Sequence, residues 1–368
     1  MTLKNLLTWQ RIYWLALICA CQSVIAAPIS HYQVIGSHNS YKKALAPQVL
    51  AWLQQQQPQL ATQLNYAHPS LQQQLNSGLR QLEIDVVADP MGGHYLQPWA
   101  EEALQATMLT AEDKAILAQP GFKTLHVPGL DMGSHCLLFR TCLAQLRDWS
   151  LGHPQHFPLM ILLNAKENQP GFVASAAPVA FTAESYAELD KVIDEELGAS
   201  LFRPDDLRAS AASLRSAVLR QGWPELEDMR GKILFVFDAN TAQAELYRHQ
   251  HPSLAGRAMF ASYPATEAEA AILVMNDPEA QQQQIQHFVA QGFMVRTRAD
   301  ADFTASAAQR LAQFSAAKTS GAHWISSDFY PGSPQQIHTQ SGSTDVSFHP
   351  AERLDTTLLV RPNPLFNQ

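Results

Sequence analysis

"KILFVFD" at residues 232–238 and "PLMILLN" at residues 158–164 are apolar at almost every position and close on a polar residue. A strand with one wet face alternates apolar and polar side chains; these two do not, so both faces must be covered. Such runs are expected of parallel strands buried between helices. Working outward, further strand-like runs lie at 33–37 (QVIGS), 80–87 (RQLEIDVV) and 123–127 (KTLHV). Others lie at 258–263 (AMFASY) or 271–275 (AILVM), then at 293–298 (FMVRTR) and 322–327 (AHWISS). Amphipathic segments such as "LQQQLNSG", "YAELDKVIDEELG" and "SAAQRLAQFSAAKTSG" separate them, and several end in Gly just ahead of the next strand, a normal helix stop. Eight such units in roughly 330 residues predict an α/β fold, a TIM-type (β/α)8 barrel with insertions. A doubly wound open sheet is the alternative architecture.

The chain has 368 residues, 46% of them hydrophobic, which is enough for a sizeable core. No linker rich in Gly, Ser or Pro divides it, and the Gln clusters at 54–57 and 281–284 read as solvated helix faces. One barrel domain over 28–368 is the expectation. A formal charge of −8 argues against nucleic acid as a partner, since a phosphate backbone needs a basic stripe.

Residues 1–27 read as a signal peptide. Lys4 and Arg11 precede the short apolar run "IYWLALICA", and "VIAAPIS" offers cleavage after Ala26 or Ala27. The run is too short for a convincing membrane span. The expected location is therefore periplasmic or secreted. Two of the four cysteines fall inside this segment, leaving Cys136 and Cys142 in the mature chain. An even count in an exported protein favours a disulfide between them.

In such a barrel the active site lies at the C-terminal ends of the strands. His38 and Asn39 follow the first expected strand, and Glu83 and Asp85 sit on the second. One residue apart on a strand, these two carboxylates share a face, where a cation between them would offset their repulsion and desolvation. His126 ends the run at 123–127; Asn164, Lys166 and Glu167 follow the run at 158–164. Asp238 and Asn240 come next, then Arg296, Arg298 and Asp300, and finally Ser326, Ser327, Asp328 and Tyr330. Nearly every expected strand thus delivers polar groups to one rim.

Asn39, Glu83, Asp85 and Asn164 are hard oxygen donors that suit Ca²⁺ or Mg²⁺ and not zinc. Two histidines beside such a cation can divide proton transfer. Lys166, Arg296 and Arg298 can grip an anion, and Tyr330 can stack on a sugar-like ring. Metal, acid/base pair and anion clamp together point to phosphodiester cleavage.

The stretches "VIGSHNSY", "RQLEIDVVADPMGGHY", "LHVPGLD", "PLMILLNAKE", "GKILFVFD", "GFMVRTRADAD" and "SGAHWISSDFY" follow in an order that resembles the calcium-dependent phosphatidylinositol-specific phospholipase C-like phosphodiesterases of bacteria and fungi. The resemblance spans nearly all of the mature chain. It implies a TIM barrel, one catalytic Ca²⁺, His38 and His126 as the catalytic histidines, and Asn39, Glu83 and Asp85 as metal ligands. It also implies a cysteine pair in "SHCLLFRTCL". Related enzymes usually carry glutamate where this chain has Asn164, with Glu167 the alternative ligand. The implied reaction is attack of the inositol 2-hydroxyl on phosphorus, releasing diacylglycerol and a cyclic inositol phosphate. The implied partners are a phosphatidylinositol-like lipid and, transiently, a membrane surface, with the protein acting as a monomer. Rival readings are a glycerophosphodiester or sphingolipid phosphodiesterase on the same barrel, and a non-catalytic exported barrel. His94 is the next candidate acid after His126. Leu96, Trp99, Leu104, Met108 and Leu109 are candidates for membrane contact, or else pack onto the barrel.

Overall fold

The structure is a computed structural model that describes residues 27–168, 170–300, 303, 305–335 and 360–366. The expected signal peptide lies outside the described residues, except for Ala27. Eight parallel strands form the barrel: β1 (Tyr32–Gly36), β2 (Gln81–Val86), β3 (Leu159–Ala165), β4 (Ile233–Phe237), β5 (Phe260–Ala261), β6 (Ile272–Val274), β7 (Met294–Arg298) and β8 (Trp324–Ser326). They are ordered β5-β4-β3-β2-β1-β8-β7-β6, so the ring is nearly closed, with its seam between β5 and β6. A ninth strand, β9 (Val360–Pro362), pairs antiparallel with β1.

The doubly apolar runs sit where their pattern places them. Every residue of β4 is buried, and β3 is buried except at Asn164. The helix Ala183–Leu197 lays Tyr186, Leu189, Ile193 and Leu197 into the core, an i, i+3, i+4 stripe. Full burial of each such aliphatic side chain is worth about 2 kcal/mol.

Two elements differ from expectation. Residues 123–127 form no strand; Lys123 makes only isolated antiparallel bridges to Val87 and Leu138. The reason lies in Lys123 itself, whose buried ammonium pairs with Asp89 at 3.1 Å and donates to the Gln119 and Gly121 carbonyls. These bonds hold residues 119–123 in a local turn, and beyond them the chain turns back through the Val127–Asp131 bridge instead of extending a ladder. The eighth strand is supplied because 258–263 and 271–275 each contain one, β5 and β6, where the sequence suggests a choice between them.

Gly36 is the tightest joint of the barrel. A Cβ there would lie 2.1 Å from Gln81 Oε1 and 2.5 Å from the Gln81 carbonyl oxygen. Only glycine lets β1 close on β2, and that closure sets His38 beside Glu83.

Candidate active site

β1 ends at Gly36, and the chain turns through Asn39, whose φ of 46° lies in the left-handed region. Asparagine tolerates this conformation better than most residues, and such strain concentrates at functional sites. The turn brings the Ser40 amide onto the Glu83 carbonyl at 2.9 Å, tying the end of β1 to β2. Asn39 donates to the Tyr66 hydroxyl at 2.6 Å. Its Oδ1 is buried without a hydrogen-bond partner.

Glu83 and Asp85 are both buried, as the one-residue spacing on β2 requires. Glu83 Oε2 takes the Arg296 guanidinium at 2.6 Å, while Oε1 accepts from Asn164 Nδ2 at 3.2 Å and faces His38 Nε2 at 3.7 Å. Burial works against its charge, but His38, Arg296, Arg298 and Lys166 outweigh that and hold the carboxyl below its ordinary range. Asp85 Oδ2 accepts from Tyr41 at 3.0 Å and pairs with Lys166 at 3.3 Å; its Oδ1 has no partner. Asp85 lifts the Lys166 ammonium above its usual value. Asn164 stands directly opposite Asp85 in the β2–β3 register.

His38 sits over Asp328. Its backbone amide donates to Oδ1 at 3.1 Å, and Nδ1 lies 3.3 Å from Oδ2. Burial, reinforced by Arg298 and opposed by Glu83 and Asp328, pushes this imidazole below its ordinary value, which favours the neutral ring that can accept a proton. Asp328 is shared with His68, whose Nε2 lies 3.4 Å from Oδ1, and with Arg298 at 4.0 Å. Below it, burial and the Asp328 charge push the Asp300 carboxyl up to about 7. His126 Nδ1 lies 2.9 Å from Asp131 Oδ2. Between the two catalytic candidates stands Tyr66, with ring centres 5.7 Å from His38 and 6.2 Å from His126.

The structure therefore brings His38, Asn39, Glu83, Asp85, Asn164, Lys166, Arg296 and Arg298 into one linked cluster, with His126 across Tyr66. Arg296 is a buried clamp on Glu83 and Asn276, so its guanidinium is not on the accessible face. Tyr330 is buried and hydrogen-bonded to His68 at 2.9 Å, which places it beneath the site instead of on a sugar-stacking wall. Glu167 turns away, with both oxygens occupied by the Phe181 amide and Gln243. His94 is exposed and bonded to the Ala177 carbonyl. Leu96, Trp99, Leu104, Met108 and Leu109 pack in apolar clusters. Cys136 and Cys142 form a disulfide.

Sequence reasoning missed Tyr66, His68, Lys42 and Asp131 as members of this site. Tyr66 and His68 lie between helices, where no strand end marks them.

Among the described residues no three His, Cys, Asp or Glu converge as a metal cluster, since two of the four expected donors are amides. Even so, the donor set fits calcium. Its atoms are all oxygens, and Asn39 Oδ1 and Asp85 Oδ1 are buried acceptors lacking a donor, a costly arrangement that a bound cation relieves.

A TIM barrel whose rim carries two imidazoles, buried carboxylates and two accessible cations has the kinds of group a phosphoric diester hydrolase needs. A family model described as phosphoinositide phospholipase C, Ca²⁺-dependent, matches residues 27–351, and the chain belongs to that family. Among solved structures, it is similar to a calcium-dependent phosphoinositol-specific phospholipase C from Pseudomonas sp. at 16% identity. That match covers 91% of this chain and 95% of the other, with a TM-score of 0.52. It is also similar to a Ca²⁺-dependent phosphatidylinositol-specific phospholipase C from Streptomyces antibioticus at 17% identity, over 82% and 95% of the two chains, with a TM-score of 0.53. Among curated proteins none matches the chain.

Proposed function

We propose that the chain is an exported, calcium-dependent phosphodiesterase that cleaves phosphatidylinositol-type lipids to diacylglycerol and a cyclic inositol phosphate. The observation that carries this reading is which side chains reach solvent. Glu83, Asp85, Arg296 and Asp328 are sealed in, while the side chains of His38, His126, Lys166 and Arg298 are 18%, 14%, 37% and 17% exposed. The accessible face thus offers two imidazoles and two cations, the groups a phosphodiester needs.

His38, with Nδ1 held by Asp328, takes the proton of the inositol 2-hydroxyl at Nε2. Arg298 and Lys166 hold the phosphate oxygens. His126, with Nδ1 held by Asp131, gives the proton on Nε2 to the departing diacylglycerol oxygen. Asn39, Glu83, Asp85 and Asn164 would hold a Ca²⁺ ion, which would supply Lewis acidity for the cleavage. Arg296 keeps Glu83 ionised and in place.

Export is supported by the basic and apolar segments of residues 1–27 and by the Cys136–Cys142 disulfide, which suits an oxidising compartment. No helix among the described residues is long and apolar enough to cross a membrane. In this reading the protein works as a monomer that meets the membrane transiently.

The test is turnover of phosphatidylinositol, glycerophosphocholine and sphingomyelin, each with Ca²⁺ and with chelator. Phosphatidylinositol alone should be cleaved, and only with Ca²⁺. Preference for another substrate would remove the head-group assignment; turnover of none would favour a non-catalytic barrel.

A further inference from the structure

Lys42 has no solvent exposure, an unusual place for an ammonium unless a carboxylate balances it. Its Nζ donates to the Tyr66 carbonyl at 2.7 Å and the Lys43 carbonyl at 3.2 Å. It lies 4.6 Å from the centre of the Tyr66 ring and 3.3 Å from Asp131 Oδ2. That oxygen is the one 2.9 Å from His126 Nδ1, while Asp131 Oδ1 is buried without a partner. One carboxylate oxygen therefore serves a buried ammonium and an imidazole at the mouth of the site. Burial pushes the Lys42 ammonium downward, and Asp131 opposes that.

We propose that Lys42 is a positioning residue for His126: by drawing on the same Asp131 oxygen, it limits how firmly the carboxylate holds the imidazolium. This rests on the reading of His126 as the acid. A carboxylate paired with imidazole alone stabilises the protonated ring and delays proton release. An ammonium beside that carboxylate takes up part of its negative charge and repels the imidazolium, so both effects favour release. Among the described residues, the other groups around His126 do not supply this bias. Tyr66 is kept neutral, because burial pushes its phenol well above the ordinary value. Asp328, Asp131 and Asp85 push the Tyr66 phenol the same way as burial, and Lys43 is exposed. His68, whose amide bonds to the Lys42 carbonyl, is turned to Tyr330 and Asp328.

The sign of the effect follows. An acid works while protonated, so the rate falls as pH rises through the His126 pKa. Lys42→Met leaves Asp131 wholly to His126 and should move the His126 NMR titration, and the alkaline limb of kcat/KM with it, to higher pH. Asp131→Asn should move both downward, and Lys42→Arg should keep both near the parent. The pKa is read by histidine NMR on the intact protein, independently of turnover. A folded Lys42→Met protein with an unmoved His126 titration would overturn the proposal. If Lys42→Met does not fold, Lys42→Arg and Asp131→Asn decide, and equal His126 pKa values in both would overturn it. Should the NMR pKa move while the rate limb stays, the coupling stands and the acid assignment to His126 fails.

Discussion

At Asn164 a carboxamide meets Glu83 at 3.2 Å, where a carboxylate would place two negative charges side by side. The amide removes that repulsion and, in the proposed calcium site, gives up one negative ligand. Calcium affinity follows ligand charge, so Asn164→Glu should bind Ca²⁺ about tenfold more tightly. The same variant should melt at a lower temperature without metal, because the Glu83 neighbour is then uncompensated. Calorimetric titration with Ca²⁺ and thermal melts in chelator measure both. Unchanged affinity would remove Asn164 from the ligand set. At this scale the sequence was legible where residue type and period coincide: Glu83 and Asp85 share a face because strands alternate, and His38 and Asn39 follow a strand end. Lys42, Tyr66 and His68 were not, since a buried lysine and a histidine between helices carry no periodic mark, and the Asp131 that pairs with Lys42 lies about ninety residues further along the chain.

Elements bring these residues together through a few close joints. β1 and β2 share a single paired position, Gly36 with Gln81, yet that joint carries the turn holding His38 and Asn39. Gly36→Ala would force apart the Gln81 side chain or backbone, and the expected cost is about 1–3 kcal/mol of stability. Because the displaced turn carries two site residues, activity should fall more than the loss of folded protein explains. Denaturant unfolding alongside initial rates checks this; a variant with parent stability would show that the joint has slack. The long apolar strands β3 and β4 were legible because nothing competes with their burial pattern. The run at 123–127 misled because it has strand-forming residues, while its buried ion pair between Lys123 and Asp89 depends on tertiary contact. β5 and β6 were too short, at two and three residues, for their pattern to separate them as two strands.

Across the whole molecule, the acidic net charge of −8 and the cationic face of the site describe different regions. The barrel interior matches its carboxylates with cations: Glu83 with Arg296, Asp85 with Lys166, Asp131 with Lys42. What it leaves accessible are His38, His126, Lys166 and Arg298, the groups proposed for proton transfer and phosphate binding. The reaction proposed for that face is internal attack, whose product retains phosphorus in a five-membered ring. The most direct measurement is phosphorus NMR of the products from phosphatidylinositol. The account predicts a cyclic inositol phosphate signal with Ca²⁺, absent with chelator and absent for His38→Ala. A linear phosphate as the first product, or a cyclic signal that persists in chelator, would contradict it.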